Sequence, residues 1–239
     1  MTPHSRWFVY FLYLPPGSAL NPSQMFTMKR VSESGIPLLV VCACEREEDV
    51  PSIVMATAGA VIWKGLGGFD FSAYSIALHA IARASEGADV FVMNDSVFGP
   101  FCDVADLFAI GRWDLTGMTA YGAVENHIQT FAFLIKTITS DRLHDLYPVL
   151  SREHAYSDYR SVVMMQETRL ARVAARTMSV GALWFSPSER VGDASLIAAE
   201  PLLDAGLPFV KRALFGKHRD LGQAEHLASA LAARGHPRP

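Results

Sequence analysis

The chain has 239 residues, half of them hydrophobic and 19 % charged, with a formal net charge of -3. This is enough apolar content for a sizeable core, it is not the composition of a disordered chain, and it leaves no strong basic field with which to hold nucleic acid. Three cysteines, Cys42, Cys44 and Cys102, make an odd set without a regular framework, so a disulfide-stapled secreted domain is not expected.

Trp7–Leu14 is an almost continuous apolar run after Arg6, ending at Pro15 and Pro16. It has a faint likeness to a signal peptide, but it is short and rich in aromatic and β-branched residues, which fits a first buried strand better. Pro22–Glu33 reads as a helix and Pro37–Cys44 as a second buried strand that holds Cys42 and Cys44 as structural thiols. Glu45–Asp49 is a charged turn, Val50–Thr57 begins a short helix, and Ala60–Trp63 is a third strand closed by Gly65–Gly68. Phe71, Tyr74, Ile76, Ala77 and Ile81 are spaced as on a helix over 71–84. Asp89–Met93 is a fourth strand running straight into Asn94, Asp95 and Ser96.

Strands alternating with helices at about 25–30 residues per unit imply an α/β fold: a mostly parallel central sheet with helices on both faces. Ligands in such sheets bind at the carboxyl ends of the strands, the edge that carries both Gly65–Asp70 and Asn94–Ser96. The second half reads as strands Leu115–Tyr121 and Thr130–Thr137 with His127–Gln129 between them. A helix Ser140–Leu150 follows, capped by Ser140 or Asp141, then one long helix Tyr159–Met178 and a short strand Ala182–Phe185. Pro208–Phe215 is a core segment, Gln223–Ala233 an Ala/Leu-rich helix, and Arg234–Pro239 an end expected to fray. One domain over 1–215 is expected, with a C-terminal helix and tail over 216–239. No run approaches the ~20 apolar residues that span a bilayer, so a cytoplasmic protein is expected, with peripheral contact at the inner face of the cell membrane left open.

Four places could carry chemistry. Asp95, at the end of a buried strand with Asn94 and Ser96, is costly to place without partners; it suits a diphosphate-neutralising Mg²⁺ or Mn²⁺, or else caps its own turn. Lys64 and the Gly65–Gly68 glycines could cradle a phosphate, although their spacing is not a dinucleotide fingerprint, and Asp70 could simply cap the next helix. His127 could complete a metal site with Asp95 or, with Gln129, bind a sugar hydroxyl, against the commoner reading of a satisfied histidine. Glu167 is either an exposed helix carboxylate paired with Arg169 or Arg172, or a general base.

Six ordered segments together resemble the rhamnan-synthesis F family of polysaccharide glycosyltransferases. Gly68–Tyr74 (GFDFSAY) is similar to its Gly-Tyr-Asp-Phe-Gly-Ala-Tyr-like segment, and Met93–Pro100 (MNDSVFGP) to its Asn-Asp-Ser-x-x-Gly-Pro block. Asp114–Thr119 resembles Asp-x-x-Gly-x-Thr, His127–Phe131 resembles His-x-Gln-Ser-x-Phe, Glu167 with Leu170 resembles Glu-x-x-Leu, and Pro208–Lys211 resembles Pro-Phe-x-Lys. The resemblance runs from about residue 7 to residue 215. It implies a GT-A-like (Rossmann-like) fold and transfer of a hexose or deoxyhexose, with rhamnose favoured, from a nucleotide-diphosphate sugar to a glycan or lipid-linked glycan. Donor-binding roles then fall to Lys64, Gly68, Asp70, Asn94, Asp95 and Ser96, the metal to Asp95 and His127, and acceptor or sugar contacts to His127 and Gln129. The base of an inverting reaction falls to Glu167, with Asp114 second. Two departures stand out: the family's Arg-x-Asn is Lys64-Gly65-Leu66 here, and the acidic motif has one carboxylate. The alternative is a catalytically silent donor-fold module that scaffolds other glycosyltransferases.

Overall fold

A computed structural model describes residues 1–239. Its strands are β1 (Arg6–Tyr13), β2 (Leu38–Ala43), β3 (Ala60–Lys64), β4 (Ala88–Asn94), β5 (Val97–Phe98), β6 (Leu115–Tyr121), β7 (His127–Ile128), β8 (Ala132–Ile138), β9 (Val180–Ser186) and β10 (Val210–Lys211). Its helices are α1 (Pro22–Glu33), α2 (Ser52–Thr57), α3 (Phe69–Ala84), α4 (Val104–Ala109), α5 (Ser140–Asp145), α6 (Tyr159–Val162), α7 (Thr168–Ala174), α8 (Ala194–Ile197), α9 (Ala199–Asp204) and α10 (Ala224–Ala233). None is long and apolar enough to cross a membrane.

The apolar runs become the centre of an eight-stranded sheet in the order β3-β2-β1-β4-β8-β6, with β7 and β9 both paired to β6. β3, β2, β1 and β4 are parallel, β8 is antiparallel to β4, and β6 returns to the first direction with β9 parallel to it. Only β7 and β8 run the other way, so the sheet is mostly parallel, as the alternating pattern implies. All six residues of β2 and the middle six of β1 are buried, because helices cover both faces. On one face α3 contributes Phe71, Tyr74, Leu78 and Ile81 to a core that includes Val9, Val41, Val92 and Leu170. On the other, Met28 and Val31 of α1 pack with Phe8, Val40, Phe91 and Leu107.

Local physics accounts for several departures from the sequence reading. The helix after β8 stops at Asp145 and is capped by Thr139, whose side chain accepts from Arg142 N, rather than by Ser140 or Asp141. The expected single helix over 159–178 is interrupted by a π-helical turn, Val163–Glu167, between α6 and α7. A change from i+4 to i+5 bonding leaves no trace in apolar spacing. β5 pairs with β10, a contact between two-residue strands too short to show any periodicity. The end of the chain does not fray as expected. Leu227 and Leu231 of α10 are fully buried against Phe98, Leu203 and Leu214, and His236 is 3 % exposed among the rings of Phe26, Phe98 and Phe101.

Asp114 requires a correction. It precedes β6, which points the same way as β4, so it sits at the opposite edge of the sheet from Asp95, roughly 20 Å away for a seven-residue strand. Its carboxylate accepts from Ser179 Oγ (2.7 Å), Ser179 N (2.9 Å) and Arg142 Nη2 (3.0 Å), pinning the start of β6 to the start of β9 and to α5. These bonds, Ser179 first, pull its pKa down to about 2. It is a structural acid, not the base of a reaction at the strand ends. A carboxylate with a depressed pKa adds stability above its unfolded value near 3.8 and loses it as pH falls toward 2. Its side chain is a third exposed, so screening reduces the effect. Asp114→Asn is therefore expected to cost about 1 kcal/mol at pH 7. The gap to wild type should narrow toward pH 3 in urea denaturation.

Candidate functional site

The site is built where β1, β3 and β4 end and α1 and α3 begin. Asn21, Pro22 and Gln24 form a capping box: Gln24 N donates to Asn21 Oδ1 and Asn21 N to Gln24 Oε1, both at 3.0 Å. This starts α1 and aims the other end of the Gln24 amide at Asp95, where Nε2 donates to Oδ2 at 2.9 Å. The same oxygen accepts from Tyr13 N at 3.1 Å. Asp95 Oδ1 receives no hydrogen bond from any other residue. Burial pushes the Asp95 carboxyl above its ordinary pKa, against the pull of Tyr13, Gln24 and the nearby Arg212.

Asn94 is 8 % exposed and joins two elements. Its Nδ2 donates to Asp70 Oδ2 at 3.0 Å, and its Oδ1 accepts from Ser96 N and Ser96 Oγ. Asp70 lies in the first turn of α3, where Phe71 N donates to its Oδ1. The Tyr74 hydroxyl lies 3.3 Å from Asp70 Oδ2 and donates to the Thr130 carbonyl at 2.9 Å. Thr130 N and Oγ1 in turn donate to Glu167 Oε1 at 3.2 and 3.3 Å. Asn94, Asp70, Tyr74, Thr130 and Glu167 thus form one hydrogen-bonded chain across the strand ends. Burial, and then the Glu167 charge, raise the Asp70 pKa to about 6.

The remaining sequence-predicted residues are engaged by the protein itself. Lys64 is 7 % exposed, and its Nζ donates to the carbonyls of Gly67 (2.7 Å) and Gly65 (3.0 Å). Burial lowers its pKa to about 8. The ammonium closes the glycine turn, which lines a cleft of about 310 Å³ with Arg152 and His154. Gly68 has φ +85°, and a Cβ there would meet Ser72 Oγ at 2.7 Å and Ala155 Cβ at 2.9 Å. Its glycine character is thus required by backbone conformation and by the close approach of the 151–155 segment.

Gln129 Oε1 accepts from Thr119 Oγ1 at 2.6 Å, and Nε2 donates to Asp193 Oδ2 at 2.8 Å. Asp193 also takes Lys211 Nζ at 2.8 Å and the amide and hydroxyl of Ser195. Burial opposes its ionisation, but Lys211, Ser195 and Gln129 together hold its pKa below the ordinary value. His127 Nδ1 is 2.8 Å from the Glu125 carbonyl, which can only accept, so Nδ1 carries the proton. The ring lines a groove of about 350 Å³ with Arg172 and Phe185, and neither Asp95 nor any carboxylate is part of that lining. Arg172 pairs with Glu125, not with Glu167.

The metal expectation can be tested against this donor set. Magnesium asks for near-octahedral oxygen ligation. Asp95 offers one oxygen not shared with another residue, and no three His, Cys, Asp or Glu side chains stand together as ligands. A cation here would have Asp95 as its protein ligand and would take the rest of its shell from donor phosphates and water.

Two participants carried no signal in isolation. Asp193 lies in an unremarkable Gly-Asp-Ala stretch. Arg212, half-buried, follows the Pro208–Lys211 motif and reaches the site through β10. Its Nη1 donates to the Asp95 carbonyl at 3.0 Å and its backbone N to the Ser96 carbonyl at 2.9 Å. The Asn21–Gln24 capping box was the readable clue to the Asp95 partner.

The family model RgpF, rhamnan synthesis protein F, matches residues 38–234, and the chain belongs to that family. No curated protein matches the chain significantly. Among solved structures it is similar to 4-diphosphocytidyl-2C-methyl-D-erythritol synthase from Anaerococcus prevotii (12 % identity, 84 % of this chain and 100 % of that one, TM-score 0.46). It is also similar to HddC from Yersinia pseudotuberculosis (9 %, 74 % and 90 %, TM-score 0.43) and to S. aureus TarS (11 %, 95 % and 44 %, TM-score 0.45). These are distant likenesses of shape.

A carboxyl whose folded pKa is raised binds its proton more tightly folded than unfolded, so it costs stability as pH rises from about 4 through 6. Asp70→Asn removes that pH dependence, though its NH2 would face Phe71 N or Asn94 Nδ2, which now donate to the two carboxylate oxygens. Between pH 4 and pH 7.5, wild type is expected to lose about 1–2 kcal/mol more than Asp70→Asn does, as measured by urea titrations at the two pH values.

Proposed function

We propose that this rhamnan synthesis protein F family member is a nucleotide-sugar glycosyltransferase of polysaccharide synthesis, moving a hexose or deoxyhexose, with rhamnose first among them, onto a glycan hydroxyl with inversion. The family's name supports the sugar and the setting. The observation that carries the chemistry is the hydrogen-bonded chain that sets Glu167 on the same strand-end edge as Asp95.

Each group then has a task. Asp95 and Asn94 bind and orient the donor at the end of β4, the edge where open α/β sheets take ligands. Glu167, whose Oε2 is not engaged by the protein, takes the proton of the acceptor hydroxyl. The freed oxygen attacks the anomeric carbon from the side opposite the phosphate. The carbon–oxygen bond to the phosphate breaks, and its electron pair leaves on the nucleoside diphosphate. Thr130 steadies Glu167 through Oε1 and leaves the other oxygen to work. Asp70 links Asn94 at the end of β4 to Tyr74, and through it to the Thr130–Glu167 end of the chain.

Glu167→Gln is expected to lower kcat by 10²–10⁴-fold with donor affinity nearly unchanged. Asp95→Asn is expected to weaken donor binding by about tenfold. Nucleoside diphosphate release from a panel of sugar nucleotides, nucleoside-diphosphate rhamnose included, measures both. Wild-type turnover in Glu167→Gln would remove the base assignment. No turnover of any donor by the wild type would favour the silent scaffold module.

A further inference from the structure

Three cations lie on this edge of the sheet, and two are committed. Lys64 is held by the Gly65 and Gly67 carbonyls, and Lys211 is paired with Asp193. Arg212 is the third, and no carboxylate lies within ion-pair distance of it. Its position is nonetheless held in three ways. Strand β10 pairs Lys211 with Val97, the Arg212 amide bonds to the Ser96 carbonyl, and the guanidinium bonds to the Asp95 carbonyl while lying 5.6 Å from the centre of the Phe98 ring. An anchor on a neutral carbonyl and an aromatic ring fixes the group without cancelling its charge. The result is a positioned positive charge directly on the candidate donor turn, in no ion pair but near enough to the Asp95 carboxyl to favour its ionised form, beside a motif with a single carboxylate.

We propose that Arg212 binds the donor diphosphate and receives the negative charge that develops on the leaving phosphate, the task that a metal ion would otherwise perform. This rests on the glycosyl-transfer reading above. As the anomeric carbon–oxygen bond breaks, the electron pair passes to the nucleoside diphosphate, and the remaining guanidinium N–H groups donate to its oxygens. The acceptor proton goes to Glu167, so charge and protons balance without a further reactant. Guanidinium suits the task because its planar fork matches phosphate oxygens in pairs and stays protonated at any working pH.

The test is binding of UDP, dTDP and GDP to the full chain by calorimetry and thermal shift, in EDTA and in Mn²⁺. At least one of them is expected to bind wild type in EDTA. Arg212→Gln keeps a donor for the Asp95 carbonyl while removing the charge, and it should weaken that binding by on the order of ten- to a hundredfold. Arg212→Lys should recover part of the loss. The melting temperature of the unliganded variants reads any structural role separately and should stay near that of wild type for Arg212→Gln. Binding that requires Mn²⁺ and is indifferent to Arg212→Gln would overturn the proposal while leaving the transferase reading in place. Failure of every nucleoside diphosphate to bind under either condition would remove both.

Discussion

The hydrogen bond from Asn94 Nδ2 to Asp70 Oδ2 ties the end of the fourth strand to the first turn of α3, and the geometry of the strand-end edge depends on it. Three carboxylates, Asp70, Asp95 and Glu167, converge on this edge, where burial makes Asp70 and Asp95 expensive to ionise. The protein distributes donors so that none is left bare: Asn94 and Phe71 N serve Asp70, Tyr13 N and Gln24 serve Asp95, and Thr130 serves Glu167. Asp70 remains the weak point, with a pKa near 6, because it takes both the burial and the neighbouring Glu167 charge. An edge of this kind attracts positive charge, and Arg212 supplies it without forming an ion pair that would neutralise it.

Arg212 lies 117 residues beyond the carbonyl it bonds, and packing explains how it gets there. Phe209 is 2 % exposed and stacks on Phe91 of β4 at 5.9 Å, while Phe91 stacks on Phe8 of β1 at 5.2 Å. Burying a phenylalanine contributes roughly 2–3 kcal/mol, enough to lock the closing segment against the sheet. With Phe209 seated in the core, Val210 and Lys211 pair with β5 and Arg212 emerges above the Asp95–Ser96 turn. A second network, in which Gln129 and Lys211 share Asp193, ties the segment after β9 to the same edge. A hydrophobic anchor in the core thus sets the position of polar groups at the surface.

Where the sequence reading succeeded, a strong local signal was present. The bounds of α1 and β6 were read as they stand, because capping and apolar runs act within a few residues. Asp95, Asp70 and Glu167 were singled out as acids at strand or helix positions, and the structure joins Asp70 and Glu167 through Tyr74 and Thr130 and Asp70 to the Asp95 turn through Asn94. Asp114 was misassigned because a motif match says nothing about which end of a strand a residue occupies. That depends on strand direction, which β6 takes from its neighbours β8 and β9. Lys64 and Gln129 are residue types that bind ligands, but their partners here are backbone carbonyls of their own turn in one case and a remote aspartate in the other.

The sequence alone determined the class of fold, the edge of the sheet that carries the candidate site, and the family, because hydrophobic periodicity and short ordered motifs are properties of neighbouring residues. Tertiary structure decided which polar atoms are left over. Asp95 Oδ1, the free oxygen of Glu167 and the uncommitted face of Arg212 emerge only after Gln24, Tyr13, Thr130 and the Asp95 carbonyl have taken their bonds. Those partners come from segments distant along the chain. Their selection follows from burial and the requirement that buried polar groups find partners, neither of which can be read from residue spacing.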